Sequence, residues 1–250
     1  MSERHDFLRY PEDAVAVVTG AANGIGRQVV EDLAGLGVAV SAWDRSPAGL
    51  QQLETASRGW NGRVLALDVD VTDQAAVAGA FERTAAELGE VGFLFNNAAL
   101  PSAAGMPFME GLLGSLGSVH FVTEAWLATP GSHGGHLVNM SSVAGSLIGI
   151  GSSPSYPAAK AGIAGLTRYL ALHRPNGIRA NAVAPGLVET PRTRELISSE
   201  KGRAIVARNP FGRAATAADV SAVVVFLLAP VSEYTNGVLV PVDGGALLVQ

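Results

Sequence analysis

Tyr156 and Lys160 stand four residues apart, so on a helix they share one face and can reach one site. A free phenol loses its proton near pH ~10, too high for proton transfer at neutrality. An ammonium group beside it favours the phenolate and brings that value into range. The pair therefore suits proton exchange with a substrate oxygen. Taken alone, it is also what two surface residues on one helix face look like. The second chemical feature is the run Gly20-Ala21-Ala22-Asn23-Gly24-Ile25-Gly26. Its glycines permit positive φ and let phosphates approach the backbone. A helix starting there offers free N–H groups to a diphosphate. A tight turn is the plain alternative.

Other polar residues close apolar runs. Asp44 can accept hydrogen bonds from adenosine ribose hydroxyls, and its charge repels a 2′-phosphate, which favours NAD over NADP. Arg45 opposes this, since an arginine there can pair with a 2′-phosphate. Asp44 also precedes Ser46-Pro47, where a helix N-cap is the other reading. Asp68, followed by Val69, is placed for the adenine edge or is a turn residue. Asn96-Asn97-Ala98 either ties strands together or lines the nucleotide site. Ser142 can donate to a substrate oxygen or cap a turn.

The elements that position these residues follow from periodicity. Short, continuously apolar runs read as buried strands at Ala14–Thr19, Val38–Trp43, Val64–Leu67, Gly92–Phe95, His136–Met140, Arg179–Ala184 and Val238–Val242. Helical patterns follow the glycine run and cover Asp73–Leu88, part of Pro107–Leu127, Tyr156–His173 and Ala217–Leu228. Alternating strands and helices predict an α/β fold, a doubly wound parallel sheet of about seven strands with helices on both faces. One domain spans the chain, with 1–13 as an N-terminal extension. The charged stretch Val188–Arg213 reads as a mobile lid. Each singled-out residue sits just past a strand end, where ligands of such sheets bind.

Composition narrows the classes. The chain has 250 residues, of which 48% are hydrophobic and 16% charged, which suits a packed core rather than disorder. A net charge of −5 without a dense basic run argues against a nucleic-acid partner. With no cysteine there is neither a disulfide nor a thiolate metal site. Of the histidines only His133 and His136 approach metal-ligand spacing, and a turn explains them, so no metal is expected. Met1–Pro11 lacks the apolar core of a secretion signal and no run is long enough to cross a membrane. A cytoplasmic protein is the expectation.

Thr19-Gly20-Ala21-Ala22-Asn23-Gly24-Ile25-Gly26, Asn96-Asn97-Ala98, Ser142, Tyr156-x-x-x-Lys160 and Pro185-Gly186 occur in order with suitable gaps. In this the sequence resembles the short-chain dehydrogenase/reductase family, from about Ala14 to Gly245. The resemblance implies a Rossmann-type fold and an NAD(H)-dependent oxidoreductase acting on secondary alcohols or ketones. It makes Tyr156 the general acid/base, Lys160 its partner and ribose anchor, and Ser142 a hydrogen-bond donor to the substrate. Gly20, Asn23, Gly24, Ile25, Gly26, Asn97, Ala98, Ala99, Pro185, Gly186, Val188 and Thr190 would border the cofactor, with Thr190 near the carboxamide. The family's catalytic asparagine is replaced by Ser115, and Leu100–Leu113 is shorter than usual. Around the cleft, Leu147, Ile148, Ile150 and Leu187, with Leu100, Met106, Phe108, Leu196 and Ile197, suggest a lipophilic or cyclic substrate. The resemblance also implies a homotetramer. Two other readings stay open: a nucleotide-binding sensor without turnover, and an NADP-dependent 3-oxoacyl-type reductase.

Overall fold

β1 (Val15–Thr19) is buried along its whole length, and the sheet grows outward from it in both directions. The computed structural model describes residues 7–100, 105–148 and 153–249. Successive side chains of a strand point to opposite faces. Ala16 and Val18 therefore join one core and Val15 and Val17 the other. The remaining strands are β2 (Ala39–Asp44), β3 (Val64–Asp68), β4 (Phe93–Asn96), β5 (His136–Met140), β6 (Arg179–Pro185) and β7 (Leu239–Val242). All pairings are parallel, in the order β3-β2-β1-β4-β5-β6-β7. The order reverses between β1 and β4, which opens a crevice at their carboxyl ends.

The first core packs under α1 (Gly24–Gly35), α2 (Pro47–Ser57) and the apolar α9 (Ala217–Leu228) through Val29, Leu33, Leu53, Val220 and Val224. The second packs under α3 (Gln74–Glu87), α5 (Ser118–Leu127) and α6 (Ser155–His173) through Val77, Phe81, Val122, Trp126 and Leu170. The expected α/β architecture, with helices on both faces of a seven-stranded sheet, is what the chain adopts.

Three differences from the sequence reading have local causes. α2 went unread because it carries only two buried leucines, Leu50 and Leu53. Its start was marked, since the Ser46 hydroxyl accepts the Gly49 N–H with Pro47 following. The helix expected within Pro107–Leu127 is α4 (Phe108–Leu112), a π-helical turn Leu113–Gly117, then α5. The lid stretch holds two helices, α7 (Arg194–Ser198) and α8 (Glu200–Arg208), the latter capped by the Ser199 hydroxyl.

At the opposite sheet edge, His136 and Arg179 begin neighbouring strands. Arg179 donates to the Leu227 and Ala229 carbonyls at the end of α9, and its guanidinium lies 3.0 Å from His136 Nδ1. Burial, and then the Arg179 charge, push the His136 imidazole down to about 4. The unfolded chain therefore binds a proton near pH 6.5 that the folded chain refuses until about pH 4. This stability is complete above pH 6.5 and is lost as pH falls towards 4. His136→Gln should flatten that slope, with a wild-type loss on the order of 3 kcal/mol. Denaturation across this window checks it, and equal slopes in both proteins would contradict it.

Candidate active site at the carboxyl edge of the sheet

Thr19 ends β1 with its hydroxyl turned towards β4. Thr19 Oγ1 accepts the N–H groups of Asn97 and Ala98, both at 3.0 Å. Asn97 Nδ2 returns two bonds, to the carbonyls of Thr19 at 2.9 Å and Gly20 at 3.0 Å. Asn97 thus holds the glycine-rich turn in place. Asn96 lies buried and ties β4 to β5 and α5 through Asn139 and Thr123. Asn96 thus ties neighbouring strands together, and Asn97 ties the end of β1 and the glycine-rich turn to the end of β4.

The turn itself is tight. Gly20 and Gly24 have φ of 65° and 56°, values that favour glycine. A Cβ on Gly26 would lie 2.1 Å from the Gly20 carbonyl oxygen, so α1 can start this close to β1 only with hydrogen there. Asn23 is the N-cap residue of α1, exposed, and its side chain caps no N–H. The first-turn amides, including that of Ile25, have no partner within the helix. A helix start that is uncapped, positive-φ and free of side-chain bulk fits a diphosphate.

Asp44 is not a helix N-cap, a place that Ser46 takes. Its two carboxylate oxygens accept the Ala22 and Ser46 N–H groups, each at 3.0 Å, which fixes the carboxylate beside the turn. Arg45 points away to an ion pair with Asp70 at 3.1 Å. Asp68 is exposed at the end of β3. The Val69 side chain is buried in the core with Trp43 and Phe81, and its N–H is taken by the Asp44 carbonyl. The Val188 side chain packs in the other core.

The Tyr156 and Lys160 pair opens α6. Tyr156 is half-buried, and Lys160 Nζ lies 5.8 Å from the centre of its ring. Lys160 is 3% exposed and donates to the Met140 carbonyl at 2.8 Å. Burial, and then the Arg192 charge, pull the Lys160 ammonium down to about 7, so it can take or release a proton near neutrality. The hydroxyls of Ser141 and Ser146 both donate to the Lys160 carbonyl at 2.9 Å, anchoring the helix start against the end of β5. Ser142 follows in extended conformation, and its Oγ accepts the Ala144 N–H at 3.1 Å. That contact uses an oxygen lone pair and leaves the hydroxyl proton for another acceptor. Ser142 thus caps this turn, and among the described residues its hydroxyl proton has no acceptor.

Ser115 lies buried in the π-helical turn, its carbonyl accepting the Ser118 hydroxyl at 3.0 Å. Such turns recur at functional sites. Leu100 packs against this turn, with its side chain where a Cβ on Gly114 would stand. Leu147 is exposed, whereas Ile148 and Leu187 are half-buried near the edge. Ile150 lies outside the described residues.

On the far wall, the Pro185 end of β6 leads through Gly186 to Thr190. A Cβ on Gly186 would meet Asp243 at 3.1 Å. One on Gly24 would meet the Thr190 methyl group at 3.2 Å, so Thr190 faces the glycine-rich turn. Ala99 faces it from the β4 side and accepts a hydrogen bond from Arg192. Sequence reasoning missed Arg192 as a site residue. Its signal was only a cation two positions past Thr190.

The carboxyl edge of the sheet thus carries a glycine-rich turn, a fixed carboxylate, and the side chains of Ser142, Tyr156 and Lys160. Residues 20–246 match the family model described as enoyl-(acyl carrier protein) reductase. The cis-4-hydroxycyclohexanecarboxylate dehydrogenase of Sinomonas cyclohexanicum is 36% identical over 243 residues, covering 93% of this chain and 96% of that protein. The 3-oxoacyl-(acyl-carrier-protein) reductase of Escherichia coli (strain K12) is 35% identical over 246 residues, covering 95% and 99%. Among solved structures, a single-residue variant of actinorhodin polyketide ketoreductase with NADPH superimposes with a TM-score of 0.87. It is 29% identical and covers 94% of this chain and 98% of that one.

Proposed function

The chain belongs to the short-chain dehydrogenase/reductase family of oxidoreductases, and we propose that it interconverts a secondary alcohol and a ketone, with NAD(H) preferred. What supports this is that Lys160 Nζ lies 5.8 Å from the centre of the Tyr156 ring and donates to the carbonyl of Met140, two residues before Ser142, at the same carboxyl edge of the sheet as the glycine-rich turn. A bound nicotinamide dinucleotide supplies the hydride acceptor or donor. Gly20, Asn23, Gly24, Ile25 and Gly26 would hold its diphosphate on the start of α1, with Asp68 towards the adenine edge. Pro185, Gly186 and Thr190 would border the nicotinamide.

The remaining work falls to this chain's residues. Ser142 donates its free hydroxyl proton to the substrate oxygen and fixes that oxygen in place. Tyr156 Oη gives a proton to the same oxygen in ketone reduction and takes it back in alcohol oxidation. Lys160, one turn along, places positive charge beside the phenol in its protonated form and donates to the Met140 carbonyl. Ser115 stands where the family places asparagine, and its hydroxyl is assigned a supporting role near α6. A cyclic or lipophilic substrate suits the apolar Leu147, Ile148 and Leu187. The similarity to a dehydrogenase of a hydroxylated ring supports it too. Assaying cyclic and open-chain ketones with NADH and with NADPH by nicotinamide absorbance tests the reading. No oxidation of either cofactor would refute it.

The NAD preference rests on Asp44. Its charge sits beside the turn, and Arg45 is engaged by Asp70. Use of NADPH is the second reading, favoured by likeness to a ketoreductase solved with that cofactor. Asp44→Asn keeps the shape and removes the repulsion. It should shrink the NADH-over-NADPH ratio of kcat/KM by about ten-fold. A wild type that prefers NADPH would overturn the role given to Asp44.

A further inference from the structure

Among the described residues Arg192 has no ionic partner, and the ion pairs are Arg45–Asp70, Arg83–Glu87 and Arg213–Asp219. Segments 101–104 and 149–152 contain no aspartate or glutamate. The side chain is exposed, and Nη2 donates to the Ala99 carbonyl at 3.4 Å, long for such a bond. Ala99 follows Ala98, whose Cα would stand 3.0 Å from a Cβ on Gly20. Thr190, two residues before Arg192, faces Gly24 across the same crevice. The guanidinium therefore bridges the crevice mouth from the lid side to the β4 side. Its charge also reaches buried Lys160.

We propose that Arg192 is an oxyanion latch, its guanidinium leaving the Ala99 carbonyl to bind either a phosphate of the dinucleotide or a carboxylate on the substrate. This rests on the dinucleotide-dependent reading above. The physical reason is exchange of a weak neutral contact for a charge-assisted one. A guanidinium presents a planar fork of donors that matches phosphate and carboxylate oxygens two at a time. The exposed position makes the trade easy, since no buried charge is left behind when Ala99 is released.

Equilibrium binding tests it in two arms, with Arg192→Gln against wild type. The first arm titrates NADH by fluorescence. The second titrates cyclohexanecarboxylate into the NADH-saturated protein by calorimetry, with cyclohexanol as the neutral control. If the anion is the dinucleotide phosphate, the substitution raises the NADH Kd about ten- to hundred-fold and leaves the ring-ligand preference unchanged. If it is a substrate carboxylate, NADH binding stays within about two-fold and the wild-type preference for the carboxylate disappears in the variant. The proposal is overturned if NADH binding is unchanged and the carboxylate preference is absent from wild type or survives the substitution. Both arms are independent of turnover, so a protein that reduces no ketone yet shows either shift keeps the latch and loses the proposed reaction. Failure of wild type to bind NADH would sink both.

Discussion

Tyr156→Phe is expected to lower kcat by about 10²–10⁴-fold while leaving NADH affinity within about two-fold. The substitution keeps the half-buried ring, whose centre lies 5.8 Å from Lys160 Nζ, and removes only the hydroxyl. Packing at the start of α6 should therefore survive, along with the Ser141 and Ser146 bonds to the Lys160 carbonyl. What disappears is the group assigned to pass the proton. Ser142 cannot replace it, because a neutral serine hydroxyl can donate a hydrogen bond but is a far weaker proton source. Steady-state kinetics together with NADH titration separate the two effects. A variant with wild-type turnover would remove Tyr156 from the reaction.

The second large effect concerns Gly26. Its Cβ in Gly26→Ala would stand 2.1 Å from the Gly20 carbonyl oxygen and 2.6 Å from Asn97 Nδ2. One backbone group and one hydrogen-bonded side chain would have to move, and neither is the free end of a flexible chain. Overpacking of this kind costs about 1–3 kcal/mol. The displaced turn is also the proposed phosphate cradle, so NADH affinity should fall by about 10²-fold or more. Gly79 in α3 is the control, since a Cβ there meets nothing within 4 Å. Gly79→Ala should stabilise the protein by about 0.5–1 kcal/mol and leave NADH binding alone. Denaturant titration and NADH fluorescence read both. A Gly26→Ala protein that matches wild type in both would refute the cradle.

Much of this architecture is legible from local pattern. The seven strands are short apolar runs that any face-on burial demands, and each observed strand lies within a residue or so of its expected bounds. Asp44, Asp68, Asn96 and Ser142 stand at or just past strand ends, whereas the polar groups buried inside strands, Ser41 and Asn139 among them, are held there by hydrogen bonds. The parts that were not legible depend on distant partners. Asn97 serves Thr19 and Gly20, 78 and 77 residues away, so its structural role needs the folded sheet. Asp44 at the end of β2 reaches back to Ala22 in the turn after β1, 22 residues away, for the same reason. Val69 and Val188 follow strand ends that looked site-facing, yet the backbone turns their side chains into the cores. Arg192 meets Ala99 from 93 residues along the chain, and no local period signals such a contact. The π-helical turn at Leu113–Gly117 lies where Gly111 and Gly114 bring the helix close to Ser155 and Leu100.

Hydride transfer between a nicotinamide and a carbon bearing oxygen is the central claim. The most direct test supplies the enzyme with a cyclic ketone and NADH deuterated on the nicotinamide ring, then weighs the product by mass spectrometry. The expected product is an alcohol carrying one deuterium on the carbinol carbon, formed by wild type and nearly absent with Tyr156→Phe. A protein that binds NADH tightly yet delivers no deuterium to any ketone tried would contradict the claim and make the chain a nucleotide-binding sensor.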